Sequence, residues 1–114
     1  MKKPDDIARL HHMLDSARDA VNFLGDVSFN EFLQDRMLCK SIVRSLEIVG
    51  EAAVHVSDET KLNYPDIEWA VMTGMRNRLI HAYFDINYKI VWKTVKENLP
   101  PFIRQLELIL KDFE

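Results

Sequence analysis

The sequence predicts an all-α protein, an antiparallel helical bundle of four main helices plus a short one. Three observations predict it. Apolar residues recur at alternating spacings of three and four along most of the chain. No segment alternates apolar and polar residues between turn signals as a half-buried strand would, and no internal repeat appears. With 3 Gly and 4 Pro in 114 residues, little interrupts long helical stretches.

The first helix is predicted over 7–24, where Ile7, Leu10, Leu14, Ala17, Val21 and Leu24 form one stripe. Pro4 and Asp5 suit its start and Gly25 its end. Ser28-Phe29-Asn30-Glu31 reads as a capping box, in which hydroxyl and carboxylate each satisfy an orphan amide. Beyond it, Leu33, Met37, Ile42, Leu46, Val49, Ala53 and Val56 continue a stripe for more than thirty residues without proline, the longest helical region, readable as a short piece followed by a long one. Gly50 sits inside that pattern. It either lets another helix approach closely or is simply tolerated at about 1 kcal/mol relative to Ala.

Ser57 to Tyr64 is polar and reads as a loop, with Pro65 opening the next helix at its first turn. That helix is expected from about Asp66 to Ile80, extending at most to Tyr83. Asp85-Ile86-Asn87 makes a turn with Asn87 as N-cap, followed by the stripe Tyr88, Val91, Trp92, Val95 and Leu99. Pro100-Pro101 bends or restarts the chain, and Phe102, Ile103, Leu106, Ile109, Leu110 and Phe113 give a last apolar face.

Composition narrows the function. A length of 114 residues fits one domain over 1–114; a 47% apolar content excludes disorder, and one cysteine excludes a disulfide scaffold. Cys39 reads as a small core residue. Met1-Lys2-Lys3-Pro4-Asp5-Asp6, followed by Arg9, His11, His12 and Asp15, shows neither a signal segment nor a membrane span, so the cytoplasm is expected and no membrane partner. A net charge of −3 argues against coating nucleic acid nonspecifically. It does not forbid a local basic site. Arg36, Lys40 and Arg44 recur every four residues in an acid-free stretch, either as a solvated face or as an RNA-binding stripe.

No metal or cofactor is expected. His11 and His12 point about 100° apart on a helix, and no second His or carboxylate at helix-face spacing beside His55 completes a zinc set. The remaining polar cluster is Met75-Arg76-Asn77-Arg78-Leu79-Ile80-His81-Ala82-Tyr83-Phe84. Asn77 and His81 share a helix face at i, i+4, and Arg76 and Tyr83 share another at i, i+7, whereas Arg76 and His81 lie about 140° apart on a regular helix. A site using both needs the helix to loosen near His81, or residues from two chains. One reading is metal-independent RNA cleavage. A histidine takes the proton of a ribose 2′-hydroxyl and an arginine holds the phosphate, so DNA is no substrate. The other is a helix end where His81 and Arg78 satisfy terminal carbonyls and the aromatics pack inward.

The arginine, four residues, a histidine, one residue and a tyrosine, with Asn77 directly after Arg76, resembles the signature of the HEPN superfamily in its HepT-like branch. Phe32-Leu33-Gln34-Asp35-Arg36, Ile48-Val49-Gly50-Glu51-Ala52, Tyr64-Pro65-Asp66-Ile67-Glu68-Trp69, Val91-Trp92 and Leu99-Pro100 extend the resemblance over nearly the whole chain. It implies an all-helical homodimer acting as the ribonuclease toxin of a type VII-like toxin–antitoxin pair. Arg76 and His81 would be catalytic, Asn77 and Arg78 supporting. Its antitoxin would be a small MNT-type nucleotidyltransferase that transfers AMP to Tyr83. Gly50 and the high apolar fraction are read as further support for a homodimer. A noncatalytic helical subunit that holds substrate or nucleotide for a nucleotidyltransferase is the alternative, and a purely structural bundle the third. Intact Arg76, Asn77, His81 and Tyr83 favour the ribonuclease, since binding alone needs no histidine.

Overall fold

A computed structural model describes residues 4–113. Met1 to Lys3, part of the segment without a signal pattern, lie outside the described residues. Among the described residues the chain forms α1 (Pro4–Leu24), α2 (Phe29–Gln34), α3 (Arg36–His55), α4 (Asp58–Asn63), α5 (Trp69–His81), α6 (Tyr88–Lys93) and α7 (Leu99–Asp112), and no strand. The all-α class and the four long helices are as expected. Three short helices accompany them rather than one.

α1 lies between α3 and α7, and α5 packs on the other side of α3. Leu10, Met13, Leu14 and Ala17 of α1 meet Ile42, Leu46, Val49 and Ala53 of α3 and Phe102 and Leu106 of α7 in one buried cluster. Each buried Leu or Ile adds about 1.5–3 kcal/mol to this core. α1 ends at Gly25, whose φ of 52° is the left-handed conformation that a helix end favours. The Ser28–Glu31 capping box forms as expected. Asp35 then separates α2 from α3: its backbone is extended and its carboxylate accepts from the Leu38 amide at 3.0 Å. This break turns Leu33 and Met37 outward, so neither continues the core stripe, and Phe32 and Cys39 are buried instead. The Cys39 thiol donates to Phe32 O at 3.1 Å.

Three further expectations need correction. Ser57 to Tyr64 is no loop. Ser57 caps α4 by accepting from the Thr60 amide, and Asp58 and Glu59 occupy the first turn, where carboxylates suit the helix dipole. The buried Asp6 carboxylate accepts from Ser57 N at 2.9 Å, Ser57 Oγ at 2.5 Å and Thr60 Oγ1 at 2.6 Å, which ties the start of α1 to the end of α3 and makes the two antiparallel. Pro65 does not open α5. Tyr64 to Glu68 is a turn in which the Ile67 amide and the Trp69 indole donate to Tyr64 O, and the helix starts at Trp69. Of the bend or restart expected at Pro100 and Pro101, the restart is not seen. A π turn at 94–98 continues α6 into α7 and takes up the register ahead of two residues that lack an N–H, so both prolines sit in the first turn of α7. Lys96 Nζ donates to Gly25 O and Arg18 pairs with Glu107 at 2.6 Å, so α7 runs back along α1. Asn87 caps α6 as expected, accepting from Ile90 N.

Candidate functional site

Arg76, Asn77, Arg78 and His81 lie on α5, and α5 reaches its position through Gly50. A Cβ at Gly50 would stand 2.3 Å from Arg76 Cβ and 2.8 Å from Met72 O, so α3 and α5 touch backbone to backbone there. Only glycine permits that approach. The close approach expected of Gly50 is therefore realised, but within one chain, and it lends no support to a dimer.

This contact aims Arg76 at α3. Its side chain is 19% exposed, and Nε lies 3.5 Å from Glu51 Oε2, within ion-pair distance. That Nε is sealed from solvent and has no hydrogen-bond partner among the described residues. A buried donor in that state costs about 1–3 kcal/mol, which a well-packed helix does not retain without a compensating contact or use. Glu51 also approaches His55, with Oε1 3.4 Å from Nε2. Contrary to expectation, a carboxylate does stand at helix-face spacing beside His55, since Glu51 is four residues before it. Sequence reasoning singled out neither Glu51 nor His55 for a role; their i, i+4 spacing was the available signal.

Asn77, Arg78 and His81 are exposed. α5 remains α-helical through His81, and the tighter 3₁₀ turn begins only at Tyr83. The helix therefore does not loosen at His81, and Arg76 and His81 keep their separation of about 140° around α5. No hydrogen bond or ion pair joins them among the described residues. Arg78 points away from Arg76 into a groove of about 360 Å³ between α5 and α6, beside Leu79, Asn87 and Ile90. Among the described residues neither Arg78 nor His81 donates to a terminal carbonyl; the Ala82 amide closes the helix onto Arg78 O at 2.9 Å. Tyr83 lies beyond α5, so it does not share a helix face with Arg76 as expected. Tyr83 is 74% and Phe84 81% exposed, their rings edge to face at 5.8 Å, so neither packs inward.

Arg36, Lys40 and Arg44 stand exposed on α3, each rung about 6 Å above the last. Arg44 makes a loose pair with Glu47 at 3.8 Å. Among the described residues no three His, Cys, Asp or Glu side chains are gathered as a metal site, and no helix is long and apolar enough to cross a membrane. Burial, and next the charge of Asp35, raises the Cys39 pKa above its ordinary value.

The family model described as ribonuclease HepT-like matches residues 13–109. Over 109 residues the chain is 38% identical to "Putative RNase MJ1380" of Methanocaldococcus jannaschii, spanning 96% of this chain and all of that one. It is 40% identical over 114 residues to "Putative RNase MJ0127" of the same organism, spanning 100% and 94%. "Probable ribonuclease HepT" of Thermococcus cleftensis is 38% identical over 89 residues, 78% and 81% of the two chains. No solved structure matches. The family match spans the Gly50–Glu51 pair and the whole α5 signature, and the chain belongs to the ribonuclease HepT-like family of the HEPN superfamily.

Proposed function

We propose that the protein is a metal-independent endoribonuclease, the toxin of a HepT/MNT-type pair, acting as a single helical domain that pairs with a second copy. The observation that carries this reading is the setting of Arg76, held half-buried against α3 on the helix that ends in an exposed His81. Arg76 presents a fixed guanidinium to a phosphate. His81 is free to take the proton of the 2′-hydroxyl; O2′ attacks phosphorus, the bond to O5′ breaks, the departing O5′ takes a proton from water, and a 2′,3′-cyclic phosphate and a 5′-hydroxyl result. The arginine offsets charge developing on the phosphoryl oxygens. Asn77 and Arg78 extend the polar surface around this step, and Arg36, Lys40 and Arg44 hold the strand.

The second copy is supported by the outer side of α5. Val71 and Ile90 are exposed there, and grooves of about 390 and 360 Å³ separate α5 from α6 and α7. A twofold axis along this face covers these exposed apolar side chains with a second copy and places the two α5 helices side by side.

Tyr83 is the site of silencing. Its exposed phenol attacks the α-phosphorus of ATP on the nucleotidyltransferase, which supplies the base; the phenolic P–O bond forms and pyrophosphate leaves. The added phosphate and nucleoside then stand two residues from His81 and compete for the positive charge that RNA needs. The test is expression of the toxin with and without a small MNT-type nucleotidyltransferase. Growth arrest, its relief by the partner, an AMP mass on Tyr83 and none on Tyr83→Phe are expected. An intact-mass adduct that persists in Tyr83→Phe refutes the role of Tyr83.

A further inference from the structure

A further concave site lies between α1 and α3 and is lined by none of the signature residues. It has a volume of about 210 Å³ and is lined by Arg9 and His12 of α1 and by Arg44, Glu51, Ala52 and His55 of α3. The helix repeat explains the gathering: Arg9 and His12 are i, i+3, and Arg44, Glu51 and His55 follow at steps of seven and four along one face. Its one carboxylate is already engaged, Glu51 lying 3.5 Å from Arg76 Nε and 3.4 Å from His55 Nε2. Arg44 is 69% exposed and its pairing to Glu47 at 3.8 Å is of the weak surface kind, so its guanidinium is open to a stronger anion. Arg9 has no ion pair among the described residues. The cleft thus offers two guanidinium groups and two imidazole rings as donors, a set that fits the oxygens of a phosphate. Its volume is below the roughly 300 Å³ at which sites for whole drug-sized ligands begin, but it suits a single phosphate group of a chain crossing an open cleft.

The cleft also touches the signature. Glu51 lines it and approaches Arg76, so one side chain separates the two, and the basic ridge of Arg36, Lys40 and Arg44 ends at its rim. We propose that the α1–α3 cleft is a phosphodiester subsite that grips the RNA strand beside the bond held at Arg76. This rests on the ribonuclease reading for the identity of the strand.

The test uses the full chain and an oligonucleotide of 2′-O-methyl RNA, which binds but cannot be cut because its nucleophile is blocked. Arg9→Gln weakens binding about eightfold at about 50 mM salt and flattens the plot of log affinity against log salt by about 0.7, the effect of one lost phosphate contact on a single strand. Arg9→Lys restores most of both, and His12→Gln, a change at an exposed position, weakens binding. Arg104→Gln on the exposed side of α7 changes neither. Unaltered affinity and slope in both Arg9→Gln and His12→Gln, with circular dichroism unchanged, overturn the proposal. So does loss of inorganic phosphate binding without any change toward the oligonucleotide, which marks a site for free anions. Cleavage of unmodified RNA by the wild type is read alongside: its absence while Arg9→Gln still lowers the slope removes the ribonuclease reading and leaves the subsite standing.

Discussion

Replacing Gly50 by alanine tests the helix contact on which the site depends. Ordinary van der Waals contact begins near 3.4 Å, and the new Cβ would stand 2.3 Å from Arg76 Cβ, so the two helices must part by about 1.1 Å (3.4 − 2.3). The colliding atoms are Cβ and a backbone carbonyl, which cannot swing aside as a side-chain tip does. Overpacking of this kind costs about 3 kcal/mol at the upper end, offset by about 1 kcal/mol from the better helix propensity of alanine. The net loss is about 2 kcal/mol, a fall of roughly 8 °C in Tm for a chain of this size. Activity should suffer more than stability, because a displacement of about 1 Å in a charged group can lower a rate about a hundredfold. Gly74 is the matched control on α5, since a Cβ there meets nothing within 4 Å; Gly74→Ala should raise Tm by about 4 °C. Thermal unfolding and RNA cleavage of both variants decide it. A Gly50→Ala protein as stable and active as Gly74→Ala would show that the helices do not need the gap.

Other outcomes follow from the same geometry. His81→Ala should keep the circular dichroism of the wild type, since His81 is exposed, and lower cleavage about 10²–10⁴-fold; a wild-type rate would exclude it as the base. Arg76→Ala should reduce both binding and turnover, whereas Arg36→Ala and Lys40→Ala should reduce mainly binding and its salt dependence, and a rate lost in EDTA and restored by magnesium or zinc would contradict the mechanism. Asp6→Ala removes the acceptor of three hydrogen bonds and strands the Ser57 and Thr60 donors, so urea unfolding should show a loss of about 3 kcal/mol. Because burial raises the Cys39 pKa, its thiolate is scarcer at any given pH than in an open chain. Alkylation at pH 8 should be slow in the native protein and fast in urea; fast native labelling would place the thiol at the surface.

The long helices were legible because their apolar spacing is set by burial against a neighbour, and α1, α3 and α7 each have one. Boundaries were legible where a side chain makes the cap, as at Ser28 and Asn87, and α4 was missed although Ser57 carries the same signal. Its six residues bury little, and what secures them is Asp6, which lies fifty-one residues before Ser57 and has no trace in a local pattern. The same holds for Asp35. Its carboxylate caps α3, yet the apolar stripe runs on through the break, so Leu33 and Met37 were read as core. In the site, the order of Arg76 and His81 along the chain was readable, but not that Arg76 turns inward while His81 stays outside.

That inward turn has its origin on a different helix. Gly50 and Glu51 are consecutive, and on α3 they point about 100° apart. The absent side chain of the first admits α5 to backbone distance, and the carboxylate of the second meets the arginine thus brought in. Neither works alone. Without the gap at Gly50, Arg76 could not descend to Glu51; without Glu51, a guanidinium only 19% exposed would stand at the interface with no counter-charge from α3. A buried cation in that position is costly unless paired. The pair therefore fixes distance and aim together: the contact that lets α5 close on α3 is also the contact that orients the arginine.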